Sequence, residues 1–110
     1  GVTHDPVFGP IVACGAGGTI AELMKDVAVR VAPVTDAAAE AMIRSLTTYP
    51  LLTGYRGAEP ADVPALEDVV LRVSALASDH AAVREMDCNP VMVGPTRAVV
   101  VDARVRVDEP

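Results

Sequence analysis

Tryptophan is absent from this 110-residue chain, and there are only one phenylalanine and two tyrosines. Aromatic anchors therefore cannot organise the core; with hydrophobic residues at 51%, it has to be built from Val, Ala, Leu, Ile and Met. Cysteine is equally sparse. Cys14 and Cys88 lie far apart and form no CxxC, which leaves no disulfide framework and points to free thiols in a reducing cytoplasm. His4 and His80 have no ligand-like spacing around them, which argues against a zinc site. Basic residues are outnumbered, nine against fifteen acidic, for a formal charge of −6. A nucleic-acid partner normally calls for a basic stripe, and none is present. Nucleotides stay open, because a metal can bridge an acidic site to phosphates. No apolar run approaches the roughly 20 residues of a membrane helix, and no signal-peptide pattern occurs.

What is present suits one small domain, residues 1–110. Mean hydropathy is +0.34, high for a domain of this size, and predicts that some apolar surface is hidden against something else. The chain opens Gly-Val-Thr and its first Met is Met24, which together with that surplus suggests a piece of a longer polypeptide.

The entry, GVTHDPVFGP (residues 1–10), is predicted to be irregular; within it Asp5-Pro6-Val7-Phe8-Gly9-Pro10 is dense in turn formers and reads as a turn, with Phe8 as a buried anchor. A short strand, IVAC, precedes the loop Gly15-Ala16-Gly17-Gly18. Residues 19–24 have an ambiguous period, whereas Val27, Val29 and Val31 alternate as in a strand. Thr35 is a candidate N-cap, followed by Ala39, Met42, Ile43 and Leu46 at helical spacing. Residues 49–61 read as a loop. Asp62 caps a second helix with Pro64 in its first turn, and Leu66, Val69, Val70, Val73, Leu76 and Ala77 form its apolar stripe. The predicted class is α+β, a mainly antiparallel sheet with two helices packed on one face.

The last quarter of the chain carries the most chemistry. Alternation on a strand puts Glu85, Asp87 and Asn89 on one side; on the returning strand Val100, Asp102, Arg104 and Arg106 share a face. If Pro95 and Thr96 are the loop, Gly94 faces Arg97 and Asn89 falls opposite Asp102. Opposed residues have Cβ atoms roughly 5 Å apart. An amide oxygen and a carboxylate at that spacing are hard ligands that suit Mg²⁺ sharing its shell with water and phosphates. A polar sheet face in water has the same pattern. Elsewhere signals are thin. The loop at Gly15 fails the GxGxxG fingerprint, since Ile20 stands where the third glycine belongs, leaving a tight turn or an anion-facing loop. Glu22, Lys25 and Asp26 read as solvated charges, and Cys88 as a small core residue.

Taken in order, HDPVFGP, GAGGTIAELMKDVAVRVAPVT, IRSLTTYPLLTGYRG, EMDCNPVMVG and VVVDARV resemble the C-terminal subdomain of an ATP-grasp domain. The type is that of NDP-forming acyl-CoA synthetases, relatives of succinyl-CoA synthetase β subunits, which include fusions with a GNAT acetyltransferase. The resemblance implies that Asn89 and Asp102 ligate the Mg²⁺ accompanying the nucleotide, ATP/ADP or another NTP/NDP. It implies that Asp87 is the active-site acid near a phosphohistidine, that Glu22 matches a recurrent family Glu, and that Gly15, Gly17 and Gly18 form a loop where the phosphorylated segment docks. The implied reaction interconverts acyl-CoA, phosphate and NDP with acid, CoA and NTP through an acyl phosphate and a phosphohistidine. Implied partners are an N-terminal ATP-grasp subdomain and a CoA-binding domain or subunit bearing the phosphohistidine. Without them the piece alone is expected to be inactive. The alternative is a non-catalytic, regulatory ATP-grasp-like region of a GNAT acetyltransferase.

Overall fold

The computed structural model describes residues 1–108, apart from the side chains of Ile20 and Ala21. Its first departure from expectation is at the entry, which is a hairpin: β1 (Val2–Asp5) pairs antiparallel with β2 (Gly9–Gly15). Val2 and Val12 face each other and are both buried, so two apolar residues suffice to fix the strand's inward side. The turn formers make the tip. Asp5 Oδ1 accepts from the Val7 and Phe8 N–H groups at 2.8 and 3.0 Å, and these two donors hold its carboxyl below the usual range. Phe8 is therefore not a buried anchor: it is 65% exposed, because the tip projects past the sheet and has no core within reach. Phe8→Ser is expected to move stability by no more than about 0.5 kcal/mol in thermal unfolding.

Residues 19–24, ambiguous in period, form a short helix α1 (Thr19–Met24), and β3 (Val27–Val31) then pairs with β2, Cys14 opposite Ala28. Between them lies a second correction. Asp26 is not a solvated charge; it is only 8% exposed. Its carboxylate accepts from the Thr47 and Thr48 N–H groups at 2.6 and 2.9 Å and from the Thr48 hydroxyl at 2.6 Å. Asp26 thus ties the start of β3 to the turn after the next helix. The Thr48 hydroxyl, foremost, and the backbone donors hold its carboxyl below the ordinary carboxylate value, against the opposing effect of burial. A depressed folded pKa adds stability that is complete above the unfolded carboxylate value and is lost as pH falls through the folded one. Removing Asp26 as Asp26→Ala is expected to lower Tm at neutral pH and to flatten the decline of Tm below about pH 4.

Helix α2 (Asp36–Arg44) forms as its residues dictate. Thr35 accepts from the Ala38 N–H, Asp36 and Arg44 suit the two ends of the helix dipole, and Glu40 pairs with Arg44 at 2.9 Å. Ala39, Met42 and Ile43 are fully buried and Leu46 nearly so. The loop at 49–61 contains two single 3-10 turns, Tyr49–Leu52 and Tyr55–Gly57. Helix α3 (Val63–Asp79) starts at Asp62, which accepts from the Ala65 N–H, with Pro64 in the first turn. Its inward side is shifted from the predicted stripe: Leu66, Val70 and Ala77 are buried, Leu76 is 40% exposed, and Ser74 is buried instead. The Ser74 hydroxyl accepts from the Val34 N–H at 2.7 Å, satisfying a buried backbone donor in the link between β3 and α2.

The last four strands are β4 (Val83–Cys88), β5 (Val91–Val93), β6 (Ala98–Val100) and β7 (Ala103–Val107). One antiparallel sheet runs β3-β2-β1-β4-β7, and β5 and β6 form a separate two-stranded ladder. Val2, Val12, Ala28 and Met86 on the inner face pack with α2 and α3 into one core. The outer face stays open; Val27, Val29 and Val31 are each about half exposed there. The α+β class with two helices on one face is as expected. No helix among the described residues is long and apolar enough to cross a membrane.

Candidate metal and nucleotide site

The chain's closing hairpin keeps one register from the turn back to Glu85, which pairs with Arg106; beyond it the register shifts, and Val83 pairs with Val107. Gly94 N–H donates to Arg97 at 2.8 Å across the Pro95–Thr96 turn, Val91 pairs with Val100, and Cys88 pairs with Ala103. Between the two ladders the Asn89 N–H donates to the Asp102 carbonyl at 3.0 Å, and the Val101 N–H to the Pro90 carbonyl at 3.0 Å. Asn89 and Asp102 are therefore opposed, as counting back from the turn predicts. What the sequence did not disclose is the break: at Asn89-Pro90 the hairpin leaves the large sheet and continues as β5 and β6. Proline has no N–H to give a ladder, so the strand is interrupted where Pro90 stands.

Both Asn89 and Asp102 are exposed. Asp87, two residues before Asn89, is also exposed and sits across from Arg104. Cys88, between them, is half-buried against the core, in keeping with its reading as a small core residue. An amide carbonyl and a carboxylate, open to water and opposed across two strands, form a donor set that fits Mg²⁺, which is content with one or two protein oxygens plus phosphates and water. Among the described residues no three His, Cys, Asp or Glu side chains gather into a metal cage, so a fully protein-ligated metal is not what this arrangement offers.

The glycine loop comes to the same neighbourhood. Gly15, Gly17, Asp87 and Asn89 line one cavity of about 500 Å³, together with Cys14 and Thr48. Two of the glycines also have reasons internal to the fold. A Cβ on Gly15 would meet the Asp26 carbonyl at 3.0 Å, and Gly18 has φ +94°. Gly18 and Glu22 are not among that cavity's lining residues. Glu22 is exposed in the first turn of α1, where its N–H bonds to the Gly18 carbonyl at 3.0 Å. Burial pushes the Cys14 thiol up, which works against a nucleophilic role. The sequence reading took Asp26 for a solvated charge and did not single out Ser74; nothing in their immediate neighbours distinguishes them from surface residues.

A family profile described as the ATP-grasp domain matches residues 1–107. The chain belongs to the ATP-grasp family. Among its relatives, the ADP-forming acetate–CoA ligase I of Archaeoglobus fulgidus is 46% identical over 99% of this chain and 16% of its own length. The β subunit of ADP-forming acetate–CoA ligase I of Pyrococcus furiosus is 43% identical over 96% of this chain and 45% of its own. A solved chain from Ca. Korarchaeum cryptofilum, described as a dinucleotide-forming acetyl-coenzyme A synthetase 1 in complex with coenzyme A and Mg-AMPPCP, is 43% identical. It matches with a TM-score of 0.93 over 97% of this chain and 50% of that one. This ATP-grasp chain thus spans half or less of each of these relatives. Both curated ligases and the solved synthetase are of the acyl-CoA synthetase type that the motifs resemble.

Proposed function

We propose that this ATP-grasp chain is the C-terminal, Mg–nucleotide-binding subdomain of an NDP-forming acyl-CoA synthetase. Within it, Asn89 and Asp102 hold the metal and Asp87 is an acid of the phosphoryl-transfer site. The observation that supports this most is the opposition of Asn89 and Asp102 across the hairpin. Bound there, Mg²⁺ supplies charge neutralisation for phosphoryl oxygens and a fixed orientation for them. The chain's own contribution is placement. The backbone bond between them opposes Asn89 and Asp102 just where the hairpin leaves the large sheet, and Asp87 lies two residues before Asn89 on β4. Gly15 and Gly17 put backbone on the other side of the shared cavity, where a phosphorylated segment of a partner can approach. Gly18 and Glu22 belong to the following turn and helix and frame that approach.

In this reading the domain works within a longer polypeptide or assembly that supplies the N-terminal ATP-grasp subdomain and a CoA-binding domain or subunit with the phosphohistidine. The relatives' greater lengths support it. Its place is the cytoplasm, where the free thiols of Cys14 and Cys88 persist. The test is a coupled assay on that assembly: acid, CoA and ATP are expected to give acyl-CoA, ADP and phosphate, and chelation of the divalent metal is expected to stop it. Turnover that survives full chelation refutes the reading.

A further inference from the structure

We propose that Arg104 is an anion-binding residue whose guanidinium receives phosphoryl oxygens of a ligand lying along the outer face of the sheet. This rests on the nucleotide reading above and adds to it a residue and a contact. Strands β4 and β7 set two pairs of opposite charge side by side, Asp87 across from Arg104 and Glu85 across from Arg106. Cross-strand partners start with Cβ atoms roughly 5 Å apart, so both pairs begin from the same geometry. They end differently. Arg106 is engaged, Nε 3.4 Å from Glu85 Oε2 and Nη1 3.2 Å from Asp108 Oδ1. Among the described residues Arg104 makes neither an ion pair nor a side-chain hydrogen bond, although Asp87 faces it.

Arg104, Asp87, Glu85 and Arg106 line one cavity of about 570 Å³ bordered by Thr3 and Ala13 of the outer face. Asp87 lines both this cavity and the one that holds Asn89, so Arg104, paired with Asp87 across the strands, stands beside the approach to the proposed metal position. The wider electrostatics sharpen the point. A chain of net charge −6 repels anions at long range, so a phosphate that settles here needs a cation at the contact itself. With Arg106 held by two carboxylates, Arg104 is the arginine of this cavity with its donors available. A guanidinium stays charged at any working pH and offers a planar fork that matches two phosphoryl oxygens.

Calorimetric titration of inorganic tripolyphosphate into the chain, with and without Mg²⁺, tests this. Arg104→Ala is expected to weaken binding roughly tenfold in both conditions, as for the loss of a charge-assisted contact at an open site. Arg104→Lys is expected to recover part of the loss, and Arg106→Ala to stay within about twofold of the parent. Unchanged affinity in Arg104→Ala, equal losses for Arg104→Ala and Arg106→Ala, or no binding of tripolyphosphate by the parent each overturn the proposal. Asn89→Ala and Asp102→Ala separate the two readings. They are expected to erase the enhancement by Mg²⁺ while the Arg104 effect persists; if the enhancement survives them, the metal assignment fails and Arg104 stands.

Discussion

Asn89→Ala and Asp102→Ala, each introduced into the complete synthetase, are expected to cut Mg²⁺-dependent nucleotide turnover by at least about 100-fold. Residues that merely support a metal ligand already cost 10–100-fold when removed, so loss of a ligand sets the floor at the upper end of that range. Folding should be spared. Both side chains are exposed, and the hydrogen bond that joins their positions is made by backbone atoms, which alanine retains. A stability change within about 0.5 kcal/mol is therefore expected beside the collapse in rate. Thermal unfolding and steady-state turnover of the same preparations distinguish a lost ligand from a damaged fold. Asp102→Glu should fall between, since the longer carboxylate keeps the charge and misplaces the oxygen.

Met42→Ala is expected to have the largest effect on the fold, about 2–5 kcal/mol. Met42 is fully buried in the last turn of α2, beside Ile43 and in the same core as Ala39. Truncating it removes apolar contact and leaves a void that a close-packed core fills only in part. In a domain of this size each kcal/mol shifts Tm by roughly 4–8 °C, so a fall of at least about 8 °C in a thermal scan is expected. Leu76→Ala is the matched control. The sequence put Leu76 on the buried stripe of α3, but it is 40% exposed, and its truncation should cost far less. Equal losses for the two would mean that the core is not where the fold places it.

Local signals explain why so much of this was legible. Thr35 and Asp62 announce their helices through side chains that bond backbone three residues on, a purely local act. The register of the last hairpin follows from turn length alone, and so Asn89 met Asp102 as counted. The misreadings share a different cause, since each depends on residues distant in sequence. The entry became a strand because β2 on one side and β4 on the other offer Val2 partners, Val12 and Met86. Asp26 is buried because Thr47 and Thr48, more than twenty residues later, bring three donors to it. Ser74 is held by the Val34 N–H, forty residues away. Phe8 misled for the opposite reason: its type suggests burial, but the hairpin tip gives it nothing to be buried against. For the candidate site, the types of residue and their opposition were readable; the interruption at Pro90 and the shared cavity with Gly15 and Gly17 required the fold.

The most direct measurement replaces Mg²⁺ by Mn²⁺ in the presence of ADP and follows paramagnetic broadening of the chain's backbone amide signals. Broadening centred on Asn89 and Asp102, and abolished by Asp102→Ala, is the result expected if these two residues form half of a divalent-cation cradle. Broadening centred elsewhere, on Glu22 or scattered over the acidic surface, with the hairpin signals left sharp, contradicts it.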